Sequence, residues 1–152
     1  MFFGRKEKIK KTVKSFFDQM GFSMDILNVG TEEEVFSVKI KTDEPQILIG
    51  QNGQTLFEIQ GLLKTILRRK IAENFYFDLD INDYKKKKAE YLEETANSIA
   101  DEVSLTKKEK ILPPMTSYER RIVHIALSER QDVISQSVGE GFDRRVAIRP
   151  KE

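Results

Sequence analysis

The hydrophobic period of this chain changes from two residues to about 3.6 near Asn82-Asp83, and this change limits the folds that the chain can adopt. Before this point, apolar residues alternate with polar ones and predict a half-buried strand. The apolar residues of this strand are Phe75, Phe77, Leu79 and Ile81. After it, apolar residues recur at helical spacing and predict a helix that begins around Tyr84; they are Leu92, Ala96, Ile99 and Val103. We therefore expect an α+β protein with two domains, residues 1–82 and 83–152.

The first half of the chain carries signals for six elements. They are a helix that ends near Gly21, strands at residues 24–29 and 35–40, a short helix after Pro45, a long helix from Leu56 and the strand at residues 75–81. The two early strands are close enough in sequence to form a hairpin, and their alternation leaves one face solvated. The predicted order is helix, strand, strand, short helix, helix, strand.

The second half predicts a smaller α/β arrangement after the connecting helix. Thr116 and Glu119 form a capping-box pattern, which predicts a helix to about Glu129. Strand candidates follow at residues 133–138 and 144–148, joined through a glycine-containing turn. In the later strand, alternation would turn Val146 and Ile148 toward the core and Arg145 and Arg149 to the opposite side.

Composition excludes several classes of protein. None of the 152 residues is Cys, which excludes a disulfide framework, a zinc finger and a cysteine nucleophile. The single His makes a multi-histidine metal site implausible, and we expect no cofactor. No stretch approaches the roughly 18 to 20 apolar residues of a membrane span, and the first residues lack a secretory segment. We therefore expect a soluble, cytoplasmic protein.

A pair of glycines lies between two helical patterns, in the segment Gly50-Gln51-Asn52-Gly53. Paired glycines let the backbone approach a ligand closely, and the amides that open the next helix point toward an anion such as a nucleic-acid phosphate. Taken alone, the pair also fits an ordinary tight turn. In its context, the segment from Ile47 to Leu56 resembles the GXXG segment of a bacterial type II KH domain, whose loop clamps a single-stranded backbone. The resemblance implies the α-β-β-α-α-β fold and a nucleic-acid contact at Gly50, Gln51, Asn52, Gly53 and Gln54.

The two central loop residues are amides here, whereas in KH domains they are often basic. Cations on the following helix are candidates for the missing positive field, and the alternative is a solvated helix end whose charges suit the helix dipole; they are Lys64, Arg68, Arg69 and Lys70. We also expect Gly53→Asp to abolish binding by the loop and to leave the fold intact, because it places a carboxylate where a phosphate would lie.

The predicted helix at residues 118–129 carries an Arg and the single His four residues apart. A projection at about 100° per residue places one broad apolar side opposite an arc that holds Arg120, Arg121, His124 and Ser128. The apolar side consists of Tyr118, Ile122, Ile125 and Ala126, with Val123 and Leu127 flanking it. Side chains four apart on a helix are neighbours, so Arg120 and His124 can present two donors to one anion. The alternative is a structural role for the lone His.

Two segments, residues 118–124 and 137–150, are similar to the R-three-H family of small domains, named for an Arg and a His separated by three residues. Here these are Arg120 and His124. The later segment adds Arg144, Arg145 and Arg149, whose planar guanidinium groups suit phosphate. Six of the nine arginines lie between Arg120 and Arg149, although the net charge of the chain is only +1. We therefore expect a cationic surface beside the helix.

Four consecutive lysines, Lys85 to Lys88, lie near the start of the connecting helix. Positive charge there opposes the helix dipole, which favours an anionic partner, and the alternative is a solvated helix face. Tyr84, just before them, is a candidate for stacking on a base or for packing at the domain junction.

The two motifs, in this order and over nearly the whole chain, resemble the Jag family of bacterial proteins, also called KhpB. The resemblance implies a cytoplasmic RNA-binding protein with a role in post-transcriptional regulation linked to cell division, elongation or sporulation. We expect single-stranded RNA or DNA to be preferred over a duplex, because bases can be read only when they are unpaired. It also implies a small separate KH-domain protein as a partner. Members of the family usually carry a further N-terminal domain, whereas this sequence starts almost at the first helix of the KH pattern.

Two other functional classes compete with this interpretation. A phosphoesterase would pair His124 with a carboxylate, but Glu119 projects roughly 100° or more away from it on the helix, so we expect no enzyme. A protein–protein adaptor would use the KH fold as a scaffold, with Phe2, Phe3 or Tyr76 as contacts. Binding to a KH partner without RNA affinity would favour the adaptor.

Overall fold

The computed structural model of the protein describes residues 2–71 and 74–152, apart from the side chains of Phe2 and Phe3. Two of the aromatic contacts expected of an adaptor thus lie outside the described side chains. The chain divides into two compact units, Met1–Lys85 and Lys86–Glu152, and the predicted α+β class is confirmed. Among the helices in the described ranges, none combines the length and the apolar character that crossing a membrane requires.

The first unit contains the predicted elements in the predicted order. They are α1 (Phe2–Gln19), β1 (Met24–Glu32), β2 (Val35–Thr42), α2 (Pro45–Ile49), α3 (Gln54–Ile71) and β3 (Tyr76–Ile81). The strands form a sheet in the order β1-β2-β3, in which β1 and β2 run antiparallel and β2 and β3 run parallel. A parallel pair needs a crossover connection, which α2 and α3 supply.

The core of the first unit lies between its sheet and the helices α1 and α3. In α1, the buried residues Ile9, Val13 and Phe17 recur every four positions, as the apolar stripe of an amphipathic helix requires. The corresponding residues are Leu56, Ile59, Leu63 and Leu67 in α3, and Phe36, Val38, Ile40, Phe77, Leu79 and Ile81 in β2 and β3. The β1–β2 turn is shorter than predicted, because the strands pair as far as Glu32 and Val35 and only Glu33 and Glu34 form the turn.

The second unit contains two helices and three short strands. They are α4 (Tyr84–Thr106), which begins in the last residues of the first unit, β4 (Lys110–Ile111), α5 (Ser117–Leu127), β5 (Val133–Val138) and β6 (Arg145–Pro150). The sheet order is β4-β6-β5 with antiparallel pairs. The predicted capping box begins α5: Thr116 Oγ1 accepts the Glu119 N–H at 3.2 Å and donates to Glu119 Oε1 at 3.0 Å.

The apolar sides of α4 and α5 meet one face of this sheet. The core residues are Ala96, Ala100, Val103, Leu112, Val123, Leu127, Val133, Val146 and Ile148. Ser135 pairs with Ile148, and Ser137 pairs with Val146. Directly paired residues point to the same face, so the two serines lie on the helix-covered face, on the edge strand β5.

The orientation of α5 differs from the one predicted by projection. Tyr118 and Ile125 are 63% and 62% exposed, whereas Val123 and Leu127 are buried. Arg120 and His124 each lie three residues before one of these buried positions, and residues three apart share a side of the helix. The prediction was wrong because it assigned only apolar residues to the side of the helix that faces the sheet. His124 also faces the sheet, where it forms hydrogen bonds with serine hydroxyls on the edge strand.

Candidate nucleic-acid interface

The glycine loop connects α2 to α3 through a single helical turn, Gln51–Gly53. The Gly50 N–H donates to the Gln46 carbonyl at 3.0 Å and ends α2. Gly50 has a φ of +73°, and a Cβ built on it would lie 2.2 Å from Thr55 Oγ1. This position therefore requires glycine, both for its backbone conformation and for the space beside Thr55.

The second glycine of the loop, Gly53, is buried and has a φ of +79°. Its Cα faces the ring of Tyr84 at the start of α4, so that there is no room for a side chain. The expectation that Gly53→Asp leaves the fold intact was wrong, because an aspartate there would strain the backbone and displace the ring. Tyr84 thus packs against the glycine loop within the first unit, and stacking of its ring on a base stays a prediction.

The side chains exposed by the loop are those of Gln51 and Asn52. Asn52 has a φ of +55°, in the left-handed region that Asn tolerates better than most residues. Gln54 opens α3 and donates through Nε2 to Glu58 Oε1 at 3.0 Å. The loop thus presents two neutral amides at the start of an 18-residue helix, whose dipole attracts an anion. The N–H groups of Gly53 and Gln54 are bonded to the carbonyls of Gly50 and Gln51.

The cations predicted to assist the loop lie toward the other end of α3. At a rise of about 1.5 Å per residue, Lys64 is about 16 Å along the helix from Gly53 and Arg68 about 22 Å. Lys64 Nζ lies 5.8 Å from the centre of the Tyr76 ring. Arg68, Arg69 and Lys70 occupy the last turn of α3, where their charges suit the helix dipole. The structure does not bring these four residues to the loop.

The structure brings Arg120 and His124 together with two serines on β5. His124 Nδ1 lies 2.7 Å from Ser135 Oγ, and His124 Nε2 lies 2.9 Å from Ser137 Oγ. The pKa of His124 is lowered from its usual value, first because burial penalises the imidazolium and second because the Arg120 guanidinium repels it. All four residues are half-buried, so the cluster is reachable from solvent.

Arg120 and Arg144 both form hydrogen bonds with the backbone of Met115. The Arg120 guanidinium donates through Nη1 to the Met115 carbonyl at 2.8 Å, and the Met115 N–H donates to the Arg144 carbonyl at 3.2 Å. The Arg144 side chain donates through Nη1 to the Gly139 carbonyl at 2.7 Å. Arg144 is thereby placed near the Arg120 end of the cluster.

Arg145 and Arg149 project from the other face of β6. Val146 and Ile148 lie on the face that α5 covers, and alternation turns Arg145 and Arg149 away from it. The Arg149 guanidinium binds Glu109 and the side-chain carbonyl of Gln136. The predicted division of β6, with Val146 and Ile148 toward the core and Arg145 and Arg149 on the opposite side, is confirmed. The expectation that Arg145 and Arg149 join Arg120 in one cationic surface beside α5 was wrong, because they lie on the other face of the sheet.

Of the four consecutive lysines, two lie near carboxylates and two are exposed. Lys85 forms an ion pair with Asp78, and its Nζ also donates to Gln60 Oε1 at 3.0 Å. Lys88 Nζ lies 4.0 Å from Glu119 Oε2, and Lys86 and Lys87 are exposed. Two of the four cations thus have carboxylate neighbours within the described part of the chain.

Sequence reasoning missed Ser135 and Ser137. The available signal was their spacing of two on a predicted strand, which places both side chains on the same face of the sheet. Glu119, the carboxylate weighed as a catalytic partner of His124, is held in the capping box by Thr116. In residues 2–71 and 74–152, no group of three or more His, Asp or Glu residues is placed to hold a metal ion.

Comparisons with known proteins match the region that contains Arg120 and His124 to a family of domains. Residues 90–150 match the family model of the R-three-H domain, and this match includes Arg120, His124 and both serines. A protein of Clostridium symbiosum named RNA-binding protein KhpB is 35% identical over 144 residues, which cover 94% of this chain and 65% of that protein. The RNA-binding protein KhpB of Lactiplantibacillus plantarum is 30% identical over 86% of this chain, and that of Bacillus subtilis is 35% identical over 74%. The chain spans 65%, 40% and 55% of the lengths of these three relatives.

Proposed function

The chain belongs to the KhpB family, and from this premise we propose that it is a single-stranded RNA-binding protein with two binding surfaces, one in each unit. The observation that carries the proposal is the extent of the similarity to a protein named for RNA binding, which covers 94% of this chain. It therefore includes both the glycine loop of the first unit and the Arg120–His124 cluster of the second.

The first surface is the glycine loop, and we assign the first unit as a type II KH domain. The element order α-β-β-α-α-β and the mixed sheet support this assignment. A phosphate of the RNA backbone would lie against Gly50 to Gln54, held by backbone N–H groups and by the amides of Gln51 and Asn52. Because neither central residue is charged, binding by this loop lacks the charge assistance that strengthens phosphate contacts.

The second surface is formed by Arg120, His124 and Arg144. Arg120 has five N–H donors and uses one of them on Met115, which leaves others for a phosphate. Arg145 and Arg149 serve as secondary contacts on the other face of the sheet, and Lys64 and Arg68 as contacts for a strand that continues along α3.

Two linked weak surfaces bind one strand more tightly than either surface alone, because the second contact forms at a high effective concentration. A single strand is preferred to a duplex, since its bases are unpaired and its backbone can follow a loop. The net charge of +1 predicts a small salt slope, because few phosphates are neutralised.

The biological role that fits is post-transcriptional regulation in the cytoplasm, linked to cell division, elongation or sporulation, with a small KH-domain protein as partner. A protein–protein adaptor is the second candidate function. The observation that favours it is Tyr76, which is 68% exposed on β3, a strand at the edge of the first sheet. An exposed aromatic residue beside an unpaired strand edge suits contact with another protein.

The test is fluorescence anisotropy with a labelled RNA of about 15 nucleotides, a matched duplex and a matched DNA strand at two salt concentrations. In Gln51→Glu/Asn52→Asp, each amide is replaced by a carboxylate of the same shape at an exposed position. The matched control places the same two charges elsewhere, with Asn28→Asp and Gln131→Glu, both also exposed. Arg120→Ala/His124→Ala probes the second unit.

We expect salt-sensitive binding of single-stranded RNA that is about tenfold weaker in each of the two site variants than in the control. Thermal melting of every variant separates loss of binding from loss of folding. Absence of binding to any strand at tens of micromolar protein, together with capture of a KH-domain protein, would replace the RNA-binding proposal with the adaptor.

A further inference from the structure

The imidazole of His124 is held at both nitrogens by hydroxyl groups. Ser135 Oγ lies 2.7 Å from Nδ1, and Ser137 Oγ lies 2.9 Å from Nε2. With both nitrogens occupied, the ring itself has no donor left for a phosphate. The ligand-facing donors at this site must therefore include groups other than the ring.

The direction of these two hydrogen bonds depends on the charge of the ring. A neutral imidazole has one N–H and one lone pair, so one hydroxyl accepts from the ring and the other donates to it. An imidazolium has two N–H groups, so both hydroxyls accept, and both hydroxyl hydrogens are free to bond elsewhere. Protonation of His124 thus raises the number of outward hydroxyl donors from one to two without breaking either bond to the ring.

The charges around the ring favour an anion in this position. Arg120, one turn before His124 on α5, acts on the ring by its charge. The carboxylates nearest along the chain to His124, Ser135 and Ser137 include Glu119 at the start of α5 and Asp132 before β5. Glu119 is held by Thr116 and lies near Lys88, and Asp132 is bound by Arg130. Arg120 is therefore the main charge that acts on the ring, and it disfavours the imidazolium until an anion arrives.

We propose that Ser135 and Ser137 bind a phosphodiester of the RNA backbone, and that its arrival draws one proton from solvent onto His124, which turns both hydroxyls outward as donors. The phosphate is held by two serine hydroxyls and the Arg120 guanidinium, and its negative charge offsets the repulsion between Arg120 and the imidazolium. This inference rests on the proposed RNA binding by the second unit, and it adds two binding residues and a proton linkage.

The test uses the fact that His124 is the only histidine of the chain, so that a single imidazole resonance reports its protonation. The pKa of His124 is measured by NMR titration in the free protein and with saturating single-stranded RNA. We expect RNA to raise this pKa, and RNA affinity to increase several-fold between pH 8 and pH 6. The probe is the same RNA of about 15 nucleotides.

Ser135→Ala/Ser137→Ala is expected to lower RNA affinity at pH 6 about tenfold and to abolish its pH dependence, because two hydrogen bonds to a charged group are lost. Ser135→Thr/Ser137→Thr keeps both hydroxyls on residues that suit a strand, and it should retain both properties. Ser128→Ala is the matched control, since Ser128 Oγ donates to the Ile125 carbonyl within α5. Melting of each variant confirms that it is folded.

Three outcomes would overturn the inference. An unchanged His124 pKa in the RNA-saturated wild type would show that no proton is taken up. Wild-type affinity and pH dependence in the double alanine variant would show that the serines only support the ring. Absence of RNA binding by the wild type would overturn the proposed function as well, whereas either of the first two outcomes, obtained with RNA bound, would overturn this inference alone.

Discussion

Gly53 and Tyr84 are in such close contact that a Cβ built on the glycine would lie 2.9 Å from Cε1 of the tyrosine ring. The contact joins the end of the glycine loop to the first residue of α4. Lys85, the next residue, is held by Asp78 and Gln60. The first two residues of α4 therefore contact the glycine loop, α3 and β3 within the first unit.

Gly53→Ala and Gly61→Ala are expected to change stability in opposite directions. Gly53→Ala should lower the free energy of unfolding by about 2 kcal/mol, since alanine is strained at a φ of +79° and its methyl group meets the ring. Gly61 lies within α3 with open space around it, so alanine there should add up to about 1 kcal/mol. Urea unfolding measures both, and equal stability of Gly53→Ala and wild type would contradict the contact.

Tyr84→Ala is expected to weaken RNA binding by the loop about fivefold, because the loop loses the surface that orders it before binding. Tyr84→Phe keeps the ring against Gly53 and should retain most of the affinity. Anisotropy with single-stranded RNA measures the difference. If alanine and phenylalanine bind equally, the ring does not position the loop.

Thr116→Ala is expected to destabilise the second unit by about 1 kcal/mol through loss of the capping box. Thr116→Ser keeps the hydroxyl and should be close to wild type, and Ser117→Ala, one residue into α5, serves as the control. Chemical unfolding followed by circular dichroism gives the three values. A Thr116→Ala variant no less stable than Ser117→Ala would show that the cap contributes nothing.

Stability should fall as the pH is lowered through the titration of His124. The pKa of His124 is lower in the folded chain than its ordinary value of 6.5, so the unfolded chain binds the proton more readily. The stabilisation is complete above pH 6.5 and is lost as the pH falls through the folded-state pKa. The difference in unfolding free energy between wild type and His124→Asn should therefore shrink from pH 8 to pH 5.5. A difference that grows over this range would reverse the assigned sign.

The sequence, which places Arg120 and His124 opposite the apolar side of their helix, predicts unchanged melting of Arg120→Ala/His124→Ala. From the structure we expect this variant to melt at a lower temperature than wild type. The variant loses the bond to Met115 and both bonds to the serines. Melting measured without RNA tests this, and an unchanged midpoint would mean that these contacts do not stabilise the fold.

Arg149→Ala is expected to reduce RNA affinity less than twofold, compared with about tenfold for Arg120→Ala. Arg149 is paired with Glu109 and Gln136 on the face of β6 away from α5, whereas Arg120 has donors available beside His124. The slope of log affinity against log salt should change by about one only for Arg120→Ala. Equal losses for both variants would place the RNA across both faces of the sheet.

Local patterns in the sequence were sufficient to predict the order of the elements and several of their boundaries. The strand at residues 133–138 and the capping box at Thr116 and Glu119 coincide with the predictions. These features depend on residues a few positions apart, and their spacing repeats with the period of a strand or a helix. The loop glycines were recognisable from their spacing between two helical patterns. The φ of +79° at Gly53 and the packing of Tyr84 against it, which explain why this residue must be a glycine, are seen only in the structure.

The tertiary structure decided which groups share a surface. Alternation in the sequence already places Arg145 and Arg149 on one side of their strand and Val146 and Ile148 on the other. It contains no information on which side α5 covers, because that depends on the register between β5 and β6 and on packing against α4. His124 finds its hydroxyl partners 11 and 13 residues away along the chain, at a strand edge that exists only once the sheet has formed.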